Sequence, residues 1–182
     1  FLFTITTQAQ EIEWLTWSEA IEKVNTDKNP KKLFVDVYTD WCGWCKKMDK
    51  DTFNNPKVAK YMQENFYMIK MDAEGKEAIV YKNKTFKYIP QGKRGYHELA
   101  AALLQGKLSF PTVIFLNENE EILSPVPGYQ KPDGFLMIAK YFGDDIYKDK
   151  SWKFIKNFLN IKKQLRCLTF LNDFSIDFVH FF

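Results

Sequence analysis

Leu33-Phe34-Val35-Asp36-Val37-Tyr38-Thr39, followed at once by Asp40-Trp41-Cys42-Gly43-Trp44-Cys45-Lys46, decides how the rest of the chain is read. The first seven residues form a near-continuous apolar run, rich in β-branched and aromatic side chains. Such a run lacks the alternation of a half-exposed strand and predicts a strand buried on both faces, as in a parallel sheet. The cysteine pair comes directly after it, where a helix opens. A C-x-x-C pair serves either metal ligation or dithiol–disulfide exchange. Zinc takes about four ligands. The other candidates, Cys167, His97 and His180, stand far away in sequence and form no second ligand knuckle, so the arithmetic disfavours a metal site. A pair that is only buried filler is a third reading. Its place between a buried strand and a helix start speaks against that.

Redox chemistry gives each position a physical reason. Cys42 falls at or just before the helix N-terminus, where unpaired N–H groups and the positive end of the dipole stabilise a thiolate. The thiolate is the species that attacks a disulfide. Cys45, one turn further in, can close on Cys42 and release a mixed disulfide. Gly43 keeps the turn open to the approach of another backbone, and Trp44 supplies a large aromatic that shapes the rim and the redox poise. Asp36 sits in the middle of the most apolar strand, where aspartate is depleted and a charge is costly. A buried carboxylate has a raised pKa and exchanges a proton near neutral pH. An edge-strand aspartate facing water is the other reading, and the apolar neighbours favour burial.

Outward from this centre, Thr16-Trp17-Ser18-Glu19 fits a capping box, opening a helix to about Val24. Asn54-Asn55-Pro56 breaks or kinks the helix that carries the cysteines, and a further segment runs from Pro56 to about Asn65. Strands are expected at 66–72, at 111–116 and from 121 to a turn at Pro127-Gly128. A proline-initiated helix is expected from Pro132 to about Phe142, and one more from Trp152 to Leu159. Residues 75–107 are less regular. They hold a basic glycine loop, Gln91-Gly92-Lys93-Arg94-Gly95, and a helix expected from Tyr96 to Gln105. The order helix, strand, helix, strand, insertion, strand, strand, helix describes an α/β sandwich with a mixed sheet.

Together these residues resemble the thioredoxin superfamily, over residues 14–159. Trp41-Cys42-Gly43-Trp44-Cys45-Lys46 is similar to its Trp-Cys-Gly-x-Cys-Lys motif. Asp36 falls where the family keeps a buried acid, Phe110-Pro111-Thr112 is similar to its cis-proline segment, and Gly128 matches a glycine of its late loop. The resemblance implies a thioredoxin-like fold: a central mixed β-sheet flanked by helices, with a helical insertion before the cis-proline strand and an extra C-terminal helix. It implies that Cys42 is the attacking thiol, Cys45 the resolving thiol and Asp36 a proton relay. It further implies that Trp41, Gly43, Trp44, Phe110 and Pro111 meet the substrate, with Pro111 holding its preceding peptide cis. A trans proline at a strand start is the other reading of Pro111. The subgroup most resembled is the exported thioredoxin-like proteins of bacteria. Trp44 departs from the proline of thioredoxins proper, which bears on the direction of exchange. The insertion before Pro111, with Tyr88, Pro90, Gln91, Lys93, Arg94, Tyr96 and His97, reads either as part of a substrate-recognition rim or as a peripheral cap.

The chain has 182 residues, with 26 Lys+Arg against 23 Asp+Glu and a net charge of +3. That balance argues against a nucleic-acid partner, and an aromatic content of 17% argues against disorder. Three cysteines cannot build a disulfide framework, and no uncharged apolar run reaches the ~18 residues of a membrane span. The uncharged residues 1–9 resemble the end of a signal peptide, with Thr7 and Ala9 as the small residues of a cleavage site; a frayed N-terminus or a first edge strand is the other reading. This gives the expectation of an exported protein of the bacterial envelope. Residues 10–159 form the expected domain. In residues 160–182, Ile161, Leu165, Leu168, Leu171, Phe174, Phe178 and Phe181 share one helical face. This tail reads as a helix packed on the core or a poorly ordered end, or else as a partner-binding or membrane-surface helix. Both charge signs on its polar face weaken the membrane version. Cys167 is an odd cysteine in that tail. The expected function is thiol–disulfide oxidoreduction, as a reductase and a monomer. It needs protein disulfides and a thiol electron-donor protein as partners, and no metal or organic cofactor. The competing expectation is a non-catalytic binding module with a structural disulfide.

Overall fold

The strand expected at 33–39 forms at Lys32–Tyr38 and is buried along all but its last residue. The computed structural model describes residues 11–157. The expected cleavage region at 1–9, the amphipathic tail at 160–182 and Cys167 lie outside the described residues. Along the chain run α1 (Trp17–Thr26), β1 (Lys32–Tyr38), α2 (Gly43–Met48), a π-helical turn (Asp49–Phe53), α3 (Pro56–Asn65) and β2 (Phe66–Asp72). There follow β3 (Ile79–Tyr81), β4 (Lys84–Phe86), β5 (Tyr88–Gln91), β6 (Arg94–His97), α4 (Glu98–Leu103), β7 (Thr112–Leu116), β8 (Ile122–Pro127) and α5 (Pro132–Gly143). A second unit begins at Asp144 and carries α6 (Ile146–Asp149) and the helical residues 152–157.

Four strands make the central sheet, in the order β2-β1-β7-β8. β1 runs parallel to β2, with Asp36 in register with Lys70, and antiparallel to β7. β7 pairs antiparallel with β8. The sheet is therefore mixed, and β1, one of its two inner strands, leads into the cysteine pair. Leu15 extends the outer edge of β2 through hydrogen bonds with Met68 and Lys70.

Alternation along β1 sends its side chains to two separate cores. Leu33, Val35 and Val37 join Trp17, Ala20 and Ile69 on the side of α1, with Leu99 and Leu103 of α4 in the same cluster. Phe34 points the other way, into an aromatic cluster with Trp14, Phe53, Phe115 and Phe135. Edge-to-face contacts dominate there, the arrangement the ring quadrupoles favour. Asp36 has the parity of Phe34 and so faces this second side, the side of Phe53 and α5.

The helix starts follow local chemistry. Thr16 caps α1 in a complete capping box, its side chain accepting from the Glu19 N–H while Glu19 reaches back to the Thr16 N–H. Asn55 caps α3 ahead of Pro56, which is tolerated at the first helical position because it has no N–H to satisfy. The break expected at Asn54–Pro56 is thus present, with the π-helical turn ahead of it.

The insertion differs from the helical one expected. Its helix exists but is confined to α4, and two hairpins, β3–β4 and β5–β6, precede it. The helix cannot begin at Tyr96, because that residue is paired with Ile89 across the second hairpin. His97 is the cap: its buried ring accepts from the Leu99 N–H through Nδ1, with Nε2 against the Glu77 carbonyl. At the other end Gln105 and Gly106 take positive φ, and the Gly106 N–H turns back to the Ala101 carbonyl, which stops the helix.

Candidate active site

Cys42 is the N-cap of α2, and its Sγ accepts from the Cys45 N–H at 3.1 Å. The two cysteines are joined by a disulfide, with their Cα atoms 5.3 Å apart. Both are buried, while Trp41 and Trp44 on either side are 51% and 59% exposed. A Cβ built on Gly43 would meet nothing within 4 Å. Gly43 is exposed, and among the described residues none crowds that position, so the open space lies outward.

The expected burial of Asp36 holds: it is 1% exposed. Burial pushes its carboxyl up to about 6, against the pull of the neighbouring Lys70 ammonium. Lys70 Nζ lies 2.6 Å from Asp36 Oδ2 and is also paired with Asp49, the residue after α2. The same ammonium sits over the rings of Trp14 at 4.5 Å and Tyr38 at 5.2 Å. Burial alone would pull the lysine's pKa down; the two carboxylates more than offset it, and its pKa is raised. Asp36 Oδ1 is buried with no hydrogen-bond partner among the described residues. One oxygen of this acid is therefore tied to a cation and the other is left with spare acceptor capacity.

Phe110-Pro111 is cis, as expected. The Pro111 carbonyl accepts from the Gly128 N–H at 2.8 Å, and Gly128 has φ +86°, a conformation glycine adopts without steric cost. Phe110 meets Trp41 edge to face, with ring centroids 6.0 Å apart. The proline segment, the late-loop glycine and the tryptophan before the cysteine pair are thus joined.

Each exposed tryptophan is held by residues outside the motif. Trp41 Nε1 donates to Glu74 Oε1 at 3.1 Å, and the Arg94 guanidinium lies 4.4 Å over the indole. Trp44 packs against Tyr129 at 5.5 Å. The Tyr129 hydroxyl donates to Asp51, which also pairs with Lys47. One wall comes from the insertion and the other from the loop after β8.

A family model described as "Thioredox_DsbH: Protein of unknown function, DUF255" matches residues 2–133. The chain belongs to this family. Within the Thioredox_DsbH match lie the cysteine pair, Asp36, the insertion and the proline segment. The chain is 23% identical over 133 residues to the disulfide bond reductase DsbH of Chlamydia pneumoniae, covering 72% of each. It is 30% identical over 64 residues to human spermatogenesis-associated protein 20, covering 35% of the chain and 8% of that much longer relative. A thioredoxin-fold protein from Helicobacter pylori superposes with a TM-score of 0.56 at 21% identity, over 80% of this chain and 95% of the other. The fold is therefore the thioredoxin fold.

Sequence reasoning missed Lys70, Asp49, Glu74 and Tyr129. Lys70 had a signal: a lysine inside the otherwise apolar run Phe66–Asp72 needs a partner, and Asp36 is the one acid inside the other central run. Arg94 was named in the sequence as part of an insertion read as a substrate-recognition rim or a peripheral cap, but its place over Trp41 was not.

Proposed function

We propose that the protein is a thiol:disulfide oxidoreductase that reduces protein disulfides. The single observation that carries this is the Cys42–Cys45 disulfide at the head of α2, flanked by exposed tryptophans, with a buried and half-paired aspartate in the strand that leads to it. In the reduced protein the Cys42 thiolate attacks one sulfur of a substrate disulfide. That S–S bond breaks, and the other substrate sulfur leaves as a thiolate and takes a proton from solvent. Cys45 then gives its proton to Asp36 and attacks Cys42 Sγ. The mixed disulfide breaks, and the second substrate sulfur leaves and is protonated. The substrate has gained two electrons and two protons, and the Cys42–Cys45 bond has formed. A dithiol of a donor protein reverses these steps.

With a pKa of about 6, Asp36 is mostly ionised at neutral pH and ready to accept that proton. Phe110 and Pro111 present backbone to the substrate chain, with Trp41, Gly43 and Trp44 around it. The reduced Cys42–Cys45 dithiol carries the electron pair, so the reaction needs no metal or organic cofactor. The reductive direction is taken from the similarity to the Chlamydia pneumoniae reductase. A monomer exported to the bacterial envelope fits the substrate class, because protein disulfides persist in oxidising compartments.

The test is reduction of insulin disulfides with dithiothreitol as donor. Cys42→Ser abolishes turnover, and Cys45→Ser accumulates mixed disulfides that a non-reducing gel resolves. Full activity in the Cys42 variant would overturn the reading.

A further inference from the structure

The insertion brings a cation to the tryptophan that precedes the attacking cysteine. Arg94 opens β6, directly after the two-residue turn Gly92-Lys93, in which Gly92 has φ +59°. Its guanidinium carbon lies 4.4 Å from the centroid of the Trp41 ring. That ring is fixed on two other sides: Glu74 takes the indole N–H, and Phe110 abuts it edge-on. Among the described residues none accepts a hydrogen bond from the Arg94 guanidinium, whose ring contact is with Trp41. A guanidinium stacked on an aromatic face still directs its N–H groups outward in its own plane, in a fork that matches a carboxylate. The carboxylate of Glu74 is committed to the edge of the indole. The exposed Lys93 beside Arg94 adds a second positive charge at the hairpin tip.

We propose that Arg94, held on Trp41, is a carboxylate receptor that makes the protein prefer disulfides flanked by an acidic side chain. This rests on the reductase reading above and adds a substrate class to it. A substrate cysteine reaching Cys42 must pass beside the half-exposed Trp41, since the two residues are adjacent in the chain. An Asp or Glu close to that cysteine then meets the guanidinium at the rim. The interaction acts on encounter and binding, before any bond is broken, so it is expressed in KM and not in kcat. Being exposed, it is screened by salt.

Three short peptides, each with one intramolecular disulfide and with Asp, Asn or Lys beside a cysteine, test this. The readout is the ratio of kcat/KM values within each protein variant, so a general loss of activity divides out. The wild-type protein prefers the Asp peptide over the Asn peptide about fivefold at low salt, as expected for an exposed charge-assisted pair, and the ratio falls towards one at high salt. Arg94→Lys keeps a reduced preference, Arg94→Ala removes it, and Arg94→Glu inverts it in favour of the Lys peptide. A wild-type ratio of one, or a preference that survives in Arg94→Ala and Arg94→Glu, overturns the inference while leaving the reductase reading intact. Failure of the wild-type protein to reduce any of the three overturns the reductase reading and this inference with it.

Discussion

Replacing Asp36 by Asn tests the buried acid on which the proton relay depends. In the folded protein the carboxyl is raised to about 6 from an ordinary value of 3.8, with burial as the leading cause. A raised carboxylate pKa means the native state binds the proton more tightly than the unfolded chain does. Its ionisation therefore lowers stability as pH rises from about 4 to about 6, and the loss is complete above that window. The full shift corresponds to about 3 kcal/mol, of which about 2 kcal/mol falls between about pH 4 and pH 7.5. Asparagine has a similar shape and never carries the charge. The stability of Asp36→Asn minus that of the oxidised wild type should thus grow by about 2 kcal/mol across this range, most of it below pH 6. Urea unfolding at a series of pH values measures the difference directly. Comparing the same two proteins across pH cancels the fixed effects of the substitution, including the altered partner of Lys70. A difference that stays flat would mean that Asp36 titrates in the ordinary range. A difference that shrinks with rising pH would mean that Lys70 wins over burial, and either result would exclude a raised Asp36 carboxyl.

Two further outcomes follow from packing. Phe34 is fully buried among four other aromatic rings, so Phe34→Ala should cost about 3–5 kcal/mol in denaturant unfolding; a loss under about 1 kcal/mol would show that the cluster collapses into the cavity. A Cβ on Gly95 would overlap the Ile89 carbonyl and the Tyr88 hydroxyl across the hairpin that carries Arg94. Gly95→Ala should therefore cost about 1–3 kcal/mol, read as a lowered melting temperature, and an unchanged melting temperature would show that the hairpin relaxes freely.

The chemistry was legible from the sequence because it is local. A buried strand, an acid inside it and a C-x-x-C at a helix start can be read from fourteen consecutive residues, Leu33 to Lys46. The capping box at Thr16 and the proline-marked strand and helix starts were legible for the same reason. The hairpins of the insertion were not. Their strands are three or four residues long, too short for an alternation to register, and Pro90 and Gly95 interrupt the second. The first turns at Lys82-Asn83, both at positive φ, where the usual glycine signal is missing. The partners of the two tryptophans were hidden by distance along the chain. Glu74, Arg94 and Tyr129 reach the motif only once the sheet has formed.

In the proposed function Cys42 and Cys45 exchange electrons with other thiols. Equilibrating the protein in graded glutathione and dithiothreitol buffers, and scoring free thiols after acid quenching, measures that exchange. The expected result is a reversible two-electron transition with a midpoint above about −300 mV. A pair that remains oxidised down to potentials below about −300 mV, as a structural disulfide does, would contradict it.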